Sequence, residues 1–496
     1  MDHVVYQSTR SSGKPITASQ AILRGLADDS GLYVPDHIPS LDIPFETLAG
    51  MSYQETALEV MKRLLSDYTA DELKDCIAKA YDSKFDTGVI APLVYADNAY
   101  YLELFHGKTI AFKDMALSIL PHLMITAARK NQDDREIVIL TATSGDTGKA
   151  ALAGFADVPG TKIIVFYPKD GVSPIQKRQM VTQTGDNTCV IGIEGNFDDA
   201  QTGVKKIFTD PVMREKLDAH GCRFSSANSI NIGRLVPQIV YYVYAYAKLV
   251  ENGRIQAGDP VNFAVPTGNF GNILAAFYAG RMGIPVHRLL CASNTNRVLY
   301  DFFTTGTYDR RRPFVVTSSP SMDILVSSNL ERLIYHITGE NPEQNAAYMR
   351  ALREQGAYTI TPDMREKLSL FRGGYATEEE TAEEIRTLYE ETGYVIDPHT
   401  AVASSVYRRY RKETGDKTPT VIASTASPFK FESTVMHALG RETDMDDLAL
   451  ADELSRLAGV PVPEAVSSLR GAKIRHTGVC GRDGMAEEVC RFLGLA

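Results

Sequence analysis

A chain of 496 residues exceeds what one hydrophobic core ordinarily organises, and at roughly 150 residues per domain it predicts two to four domains. With 44% hydrophobic and 23% charged residues, its composition is that of an ordinary globular protein, which excludes the disordered, fibrous and low-complexity classes. Fifty-two Lys and Arg against 62 Asp and Glu leave a formal charge of -10, so no nucleic-acid or membrane partner is expected, since both need a basic face.

The chain opens Met1, Asp2, His3, Val4, Val5, Tyr6, without a basic region followed by an apolar run, and no signal peptide is expected. Residues 1–95 join a turn-rich start (Ser11 to Pro15) to helical stretches such as 53–66, where Leu58, Met61 and Leu65 share one face. From about residue 100 short apolar runs alternate with helical stretches. Ile137, Val138, Ile139 and Leu140 run into a Thr143–Gly148 loop and a helix-prone stretch. Ile163 to Phe166 precede a helix over 174–183, and Cys189 to Ile193 precede one over 197–208. The apolar stretch 235–250 is broken by Pro237, Gln238 and Lys248 and falls short of a membrane span. Val261 to Val265 meet a glycine loop and a helix over 273–282. Such alternation predicts the α/β class, with parallel sheets covered on both faces. The six cysteines are scattered with no C-x-x-C pair, so neither a disulfide framework nor a metal site is expected; reduced thiols in a soluble, cytoplasmic protein are.

Three constellations could carry chemistry. Pro266, Thr267, Gly268, Asn269, Phe270, Gly271 and Asn272 lie between a predicted strand and a predicted helix, where free N–H groups attract an anion such as a phosphate. The spacing is not G-x-G-x-x-G and no acidic ribose-binding residue follows the next strand, which argues against a dinucleotide. Thr143, Ser144, Gly145, Asp146, Thr147, Gly148 and Lys149 resemble a nucleotide P-loop, but Thr143 and Ala150 break two of its fixed positions. The loop suits a small carboxylate or phosphate, with Ser144 or Thr147 alternatively capping the helix. Lys113, between Phe112 and Met115 at the start of an apolar helix, could lose hydration and form a Schiff base with an aldehyde cofactor, or stand as a surface lysine.

These residues identify a resemblance to the threonine synthase family, pyridoxal 5′-phosphate (PLP) enzymes of the tryptophan synthase β-like fold type. It is carried by Tyr6 to Arg10, Gly25 to Asp28, Gly31 to Pro35, His106 to Leu117, Thr143 to Gly148 and Asn228 to Asn231. It continues through Pro266 to Asn272, Asn294 to Asn296, Ser319 to Ile324 and Ser424 to Pro428, in the family's order over most of the chain. The resemblance implies two parallel-sheet domains plus a smaller N-terminal one: residues 1–95 at the N-terminus, 96–148 with 235–496 as the large PLP-binding domain, and 149–234 as the small α/β domain.

The resemblance also implies roles. Lys113 matches the Schiff-base lysine, Gly268, Asn269, Phe270, Gly271 and Asn272 the cradle of the cofactor phosphate, and Thr425 the hydroxyl facing the pyridine nitrogen. Ser144, Gly145, Asp146 and Thr147 fall at the substrate carboxylate and the cofactor's 3′-oxygen. Asn228, Ser229, Asn231 and Arg234 fall on the substrate side, Arg234 beside the substrate phosphate. Where the family usually has Pro, this chain has Lys108, either an extra cation near that phosphate or a neutral loop change. The implied activity is that of a carbon–oxygen lyase acting on a phosphate ester. O-phospho-L-homoserine and water become L-threonine and phosphate, the last step of threonine biosynthesis, by γ-elimination and β-addition of water with Lys113 shuttling protons. The sequence does not give the oligomeric state, monomer or homodimer. A serine/threonine dehydratase-like PLP enzyme, which needs no phosphate site on the substrate side, and a non-catalytic metabolite-binding protein of the same fold are the competing readings.

Overall fold

The computed structural model describes residues 3–143, 145–170, 172, 174–441 and 443–495. Val261–Pro266 is buried at all six positions, the signature of a strand covered on both faces. It lies inside a six-stranded sheet ordered Phe371–Tyr375, Val286–Ser293, Val261–Pro266, Thr420–Ser424, Ala99–Glu103 and Leu93–Ala96. The first five pair in parallel. Leu93–Ala96 returns antiparallel through a tight turn whose two residues, Asp97 and Asn98, both take positive φ, as a primed hairpin turn demands.

A second sheet of five parallel strands runs Gly478–Gly481, Thr188–Glu194, Thr161–Pro168, Glu136–Ala142 and Cys222–Ser225. Two of its members differ from the expected division. Glu136–Ala142 lies within 96–148, expected in the large unit, yet its ladder partners are Thr161–Pro168 and Cys222–Ser225. Gly478–Gly481, from the far end of the chain, adds the edge strand beside Thr188–Glu194, and the helix Met485–Leu493 that follows packs its apolar side into the core of this sheet. Strand pairing, which local sequence does not encode, draws these boundaries.

The apolar stretch expected over 235–250 is a core helix, Ile232–Glu251, buried all round. Among the described residues no helix is long and apolar enough to cross a membrane. The N-terminal helices pack on this one: Tyr53 meets Tyr244 edge-on at 5.2 Å between ring centroids, and Phe45 meets Tyr246 at 5.0 Å. Tyr53–Leu64, expected over 53–66, begins at a reciprocal capping box between Ser52 and Glu55.

The apolar helix expected after Lys113 is split into Asp114–Leu117 and Leu120–Lys130, the second opening at Pro121. Against the short first piece packs Asp146–Phe155. Gly154 permits that approach, because a Cβ there would stand 2.2 Å from the backbone oxygen of Leu117. Gly154→Ala should therefore force these helices apart and destabilise the fold by about 1–3 kcal/mol, the ordinary cost of overpacking. Thermal unfolding followed by circular dichroism reads it as a lowered Tm; an unchanged Tm would show that the helices part freely.

Candidate active site

Parallel strands deliver their following loops to one side of a sheet, and ligands of open α/β folds bind there. Val261–Pro266 and Thr420–Ser424 are adjacent and parallel, so the loops beginning at Thr267 and Thr425 leave side by side. The segment carrying Lys113 is fastened to the second of them. Phe112 N donates to Thr425 O at 2.8 Å, Ser427 N donates to Ile110 O at 3.0 Å, and Ala111 bridges Ala426. Lys113 and Thr425, expected at one cofactor, are thus neighbours.

Lys113 is buried, 9% exposed. Its Nζ donates to Ser321 Oγ at 2.9 Å, lies 3.6 Å from Asp146 Oδ2, and stands 5.0 Å from the centroid of the Phe112 ring. Loss of hydration lowers its pKa; Asp146 opposes this, while Lys430 and Arg234 reinforce it by repulsion. The amine is therefore shifted towards its neutral, nucleophilic form.

Asp146 opens the helix Asp146–Phe155 and is buried. Its Oδ1 accepts from Gln176 Nε2 at 2.8 Å and lies 3.1 Å from Lys430 Nζ, and its Oδ2 accepts from Ser321 Oγ at 3.0 Å. Burial alone would raise its pKa, but Lys430 and Lys113 outweigh that and hold the carboxyl well below the usual carboxylate range. Gly145 has φ 147°, a backbone state L side chains avoid, and a Cβ there would meet Gln176 Oε1 at 2.5 Å. The loop is braced by Thr143, whose Oγ1 accepts from Gly145 N at 3.0 Å and Gly148 N at 2.9 Å. That is the task expected of Ser144 or Thr147; Thr147 is half-buried, and Ser144 lies outside the described residues.

The glycine loop has the form of an anion cradle. Its carbonyls are tied outward: Ser327 Oγ donates to Gly268 O at 2.6 Å, and Asn329 donates to Asn269 O through both its backbone N and its Nδ2. Asn272 Nδ2 donates to Pro266 O at 2.8 Å. Phe270, at φ 66°, precedes the helix Gly271–Arg281 and offers no side-chain cap; Ile273 N donates to Asn272 Oδ1 at 2.9 Å, which leaves the N–H groups of Gly271 and Asn272 to serve an anion. A Cβ on Gly268 would stand 2.4 Å from Ser321 O, which makes glycine obligatory there. A Cβ on Gly271 would meet only Asn329 Nδ2 and Gln238 Nε2, each at 3.6 Å, so the space before Gly271 is open and edged by amide donors. That space fits a phosphate group.

Arg234 lies in the first turn of Ile232–Glu251, 3% exposed. Its Nη1 donates to Ala227 O at 2.7 Å, and among the described residues its buried Nε has no partner and no carboxylate pairs with it. Burial lowers its pKa to about 10. A buried guanidinium left so short of acceptors suits an anionic ligand.

Other expected site residues stand elsewhere. Asn231 is the N-cap of Ile232–Glu251: its side-chain oxygen accepts from Gly233 N, and its Nδ2 donates to Ile22 O and Ser226 O. Both polar atoms of its side chain thus serve to cap the helix and to tie it to Ile22 and Ser226. Asn228 is exposed, and Ser229 is half-buried. Lys108 is exposed and lines a cavity of 280 Å³ with Lys79, Lys84, His122 and Asp114, the residue next to Lys113. Three groups at the site had no expected role: Ser321, Lys430 and the pair His399–Asp397. His399 Nε2 accepts from Ser321 N at 3.2 Å, and its Nδ1 faces Asp397 Oδ2 at 2.7 Å. The Ser319 to Ile324 block was visible as a motif, but the contact of Ser321 with Lys113 spans 208 positions of sequence.

Comparison with known proteins gives the family. Three family models match in succession: Threonine synthase N terminus over residues 5–81, Pyridoxal-phosphate dependent enzyme over 91–426, and Threonine synthase, C-terminal over 400–476. The chain is 41% identical to Threonine synthase-like 1 of Homo sapiens, over 90% of this chain and 62% of that protein, so it spans less than two thirds of that relative's length. It is 38% identical to the threonine synthase of Schizosaccharomyces pombe, over 89% of this chain and 90% of that one. The crystal structure of PLP-bound threonine synthase from Brucella melitensis superposes with a TM-score of 0.88 at 34% identity, covering 99% of both chains.

Gly271→Val should spare the fold, because its Cβ meets nothing closer than 3.6 Å, yet fill the space a phosphate needs. The expected outcome is loss of PLP absorbance on dialysis with the Tm of the stripped protein unchanged. Full retention of colour would place the cofactor phosphate elsewhere.

Proposed function

This chain belongs to the threonine synthase family of pyridoxal-phosphate dependent enzymes, and on that premise we propose that it converts O-phospho-L-homoserine and water to L-threonine and phosphate. Lys113 would hold the cofactor's aldehyde carbon, the Gly268–Asn272 cradle its phosphate, and Thr425 would face its ring nitrogen. When bound, PLP supplies an electron sink for the carbanion formed at the substrate's Cα.

The remaining work falls to the chain itself. Lys113 Nζ, shifted towards the neutral amine by burial and by neighbouring cations, accepts a proton from a substrate carbon and returns one. Ser321, hydrogen-bonded to both Lys113 and Asp146, holds that amine in place. Arg234 receives the substrate phosphate and stabilises it as it leaves, since a guanidinium matches a phosphate through paired hydrogen bonds.

One observation supports this reading over a dehydratase: Arg234 is buried without a carboxylate, in addition to the separate cradle at Gly268–Asn272. A dehydratase acting on L-serine or L-threonine brings no second phosphate and gives such an arginine nothing to bind. A binding protein without activity would have no use for an amine biased towards neutrality. The direct test is phosphate release from O-phospho-L-homoserine, with L-threonine identified as the second product; absence of both from PLP-loaded protein overturns the proposal.

Two further experiments sharpen it. Borohydride reduction followed by peptide mapping should place the pyridoxyl group on Lys113, and recovery on Lys430 or Lys149 would refute that assignment. Arg234→Ala should raise KM and lower kcat/KM by roughly tenfold to a thousandfold, the loss of a charge-assisted contact, while keeping the cofactor's absorbance. If turnover of L-serine, which carries no phosphate, falls equally, Arg234 is structural and its assignment fails.

A further inference from the structure

Lys430 is the second lysine of this site. It closes the single turn Pro428–Lys430, and its side chain is completely buried. Its Nζ donates to Thr109 O at 2.8 Å and lies 3.1 Å from Asp146 Oδ1. The other oxygen, Oδ2, accepts from Ser321 Oγ and lies 3.6 Å from Lys113 Nζ. One carboxylate thus stands between two ammonium groups. Resting on the reading that Lys113 carries the cofactor, we propose that Lys430 is a positioning residue for that lysine: it engages one oxygen of Asp146, leaves the other to Ser321 and Lys113, and denies Lys113 a counter-ion of its own.

The charged groups around the pair come from four helices. Asp146–Phe155 supplies Asp146 and Lys149, and Ile232–Glu251 supplies Arg234. Asp114, from Asp114–Leu117, is committed to Thr109, whose N and Oγ1 it accepts at 2.8 and 2.6 Å. His399, from Pro398–Thr414, is committed to Ser321 N and Asp397. Asp146 is therefore the one carboxylate among these that both lysines contact, and its division between them sets the state of Lys113.

The sign follows. Burial, Lys430 and Arg234 each favour the neutral Lys113 amine, and Asp146 favours the ammonium. Neutralising Lys430 removes a repulsion and leaves Lys113 the only ammonium in contact with Asp146 among the groups named here, so the free amine persists only at higher pH. Neutralising Asp146 acts in the opposite direction.

The test strips the full chain of cofactor and follows the visible absorbance as PLP is restored at a series of pH values. Attachment joins the free Lys113 amine to the aldehyde carbon and releases one water. The cofactor's own titration is common to all variants and cancels. Lys430→Gln, which can still donate to Thr109 O, should move the midpoint of uptake up by about one pH unit, the effect of losing one close charge. Asp146→Asn should move it down, and Lys430→Arg, which keeps the charge, should leave it near the parent's. A Lys430→Gln midpoint at or below the parent's, or an Asp146→Asn midpoint above it, overturns the proposal. Failure of Lys430→Gln to fold would mark Lys430 as structural and overturn it as well. If the parent protein itself attaches no PLP to Lys113, the functional reading fails instead, and the two failures are distinguishable.

Discussion

The site is organised by one carboxylate that two buried lysines share. Asp146 has four polar neighbours: Gln176 and Lys430 on one oxygen, Ser321 and Lys113 on the other. Each neighbour belongs to a different stretch of chain, so this group can be satisfied only when the whole fold is assembled. Buried ion pairs contribute little net stability, since desolvation consumes most of the Coulomb gain. Their presence here serves geometry and protonation rather than the strength of the fold. The same four contacts that hold Asp146 ionised also prevent either lysine from owning it.

Bringing those stretches together constrains the scaffold closely. Gly154 lets the helix headed by Asp146 lie against the piece headed by Lys113, and Gly268 lets the anion cradle touch the backbone of Ser321. A second clamp reaches the N-terminal region. The fully buried guanidinium of Arg332 donates through Nε to Tyr33 O at 2.9 Å, through Nη2 to Ile230 O at 2.6 Å, and through Nη1 to the side chain of Asn329. Asn329 in turn holds Asn269 O in the cradle. Strand Tyr33–Pro35, the approach to Arg234 and the phosphate loop are thereby fixed through one side chain. That linkage gives the N-terminal helices a mechanical connection to the site that their distance along the chain conceals.

How much of this could be read in advance depended on where the signal lay. The runs at 163–166, 189–193 and 261–265 are apolar because both faces of those strands are covered, and they announced parallel sheets directly. The edge strand Gly478–Gly481 is mostly exposed and made of Gly, Val, Cys and Gly, so it carries no apolar signature at all. Lys113 stood out because its apolar neighbours are adjacent in sequence. Ser321 and Lys430 did not, because their meaning arises only where distant segments meet. Asn231 is the converse case: an Asn before a helix is an N-cap by local chemistry, and that role is legible from its neighbours alone, whereas a place on the substrate side is implied only by the family block around it.

The charge of the site runs against that of the molecule. Overall the chain carries -10, yet Lys113, Lys430 and Arg234 are all buried here, the two lysines around Asp146 and Arg234 close enough to Lys113 to repel it. Nearby Asp114 does not redress the balance fully, because burial pushes its carboxyl pKa up. Buried cations are costly, since each has given up its hydration in water. A ligand bearing one phosphate at the cradle and a second at Arg234 supplies the missing negative charge where it is undercompensated. The low-dielectric surroundings make each of those contacts stronger than it would be in water. The site is thus built as the electrostatic complement of its proposed ligands, and the free energy invested in burying its cations is recovered on binding.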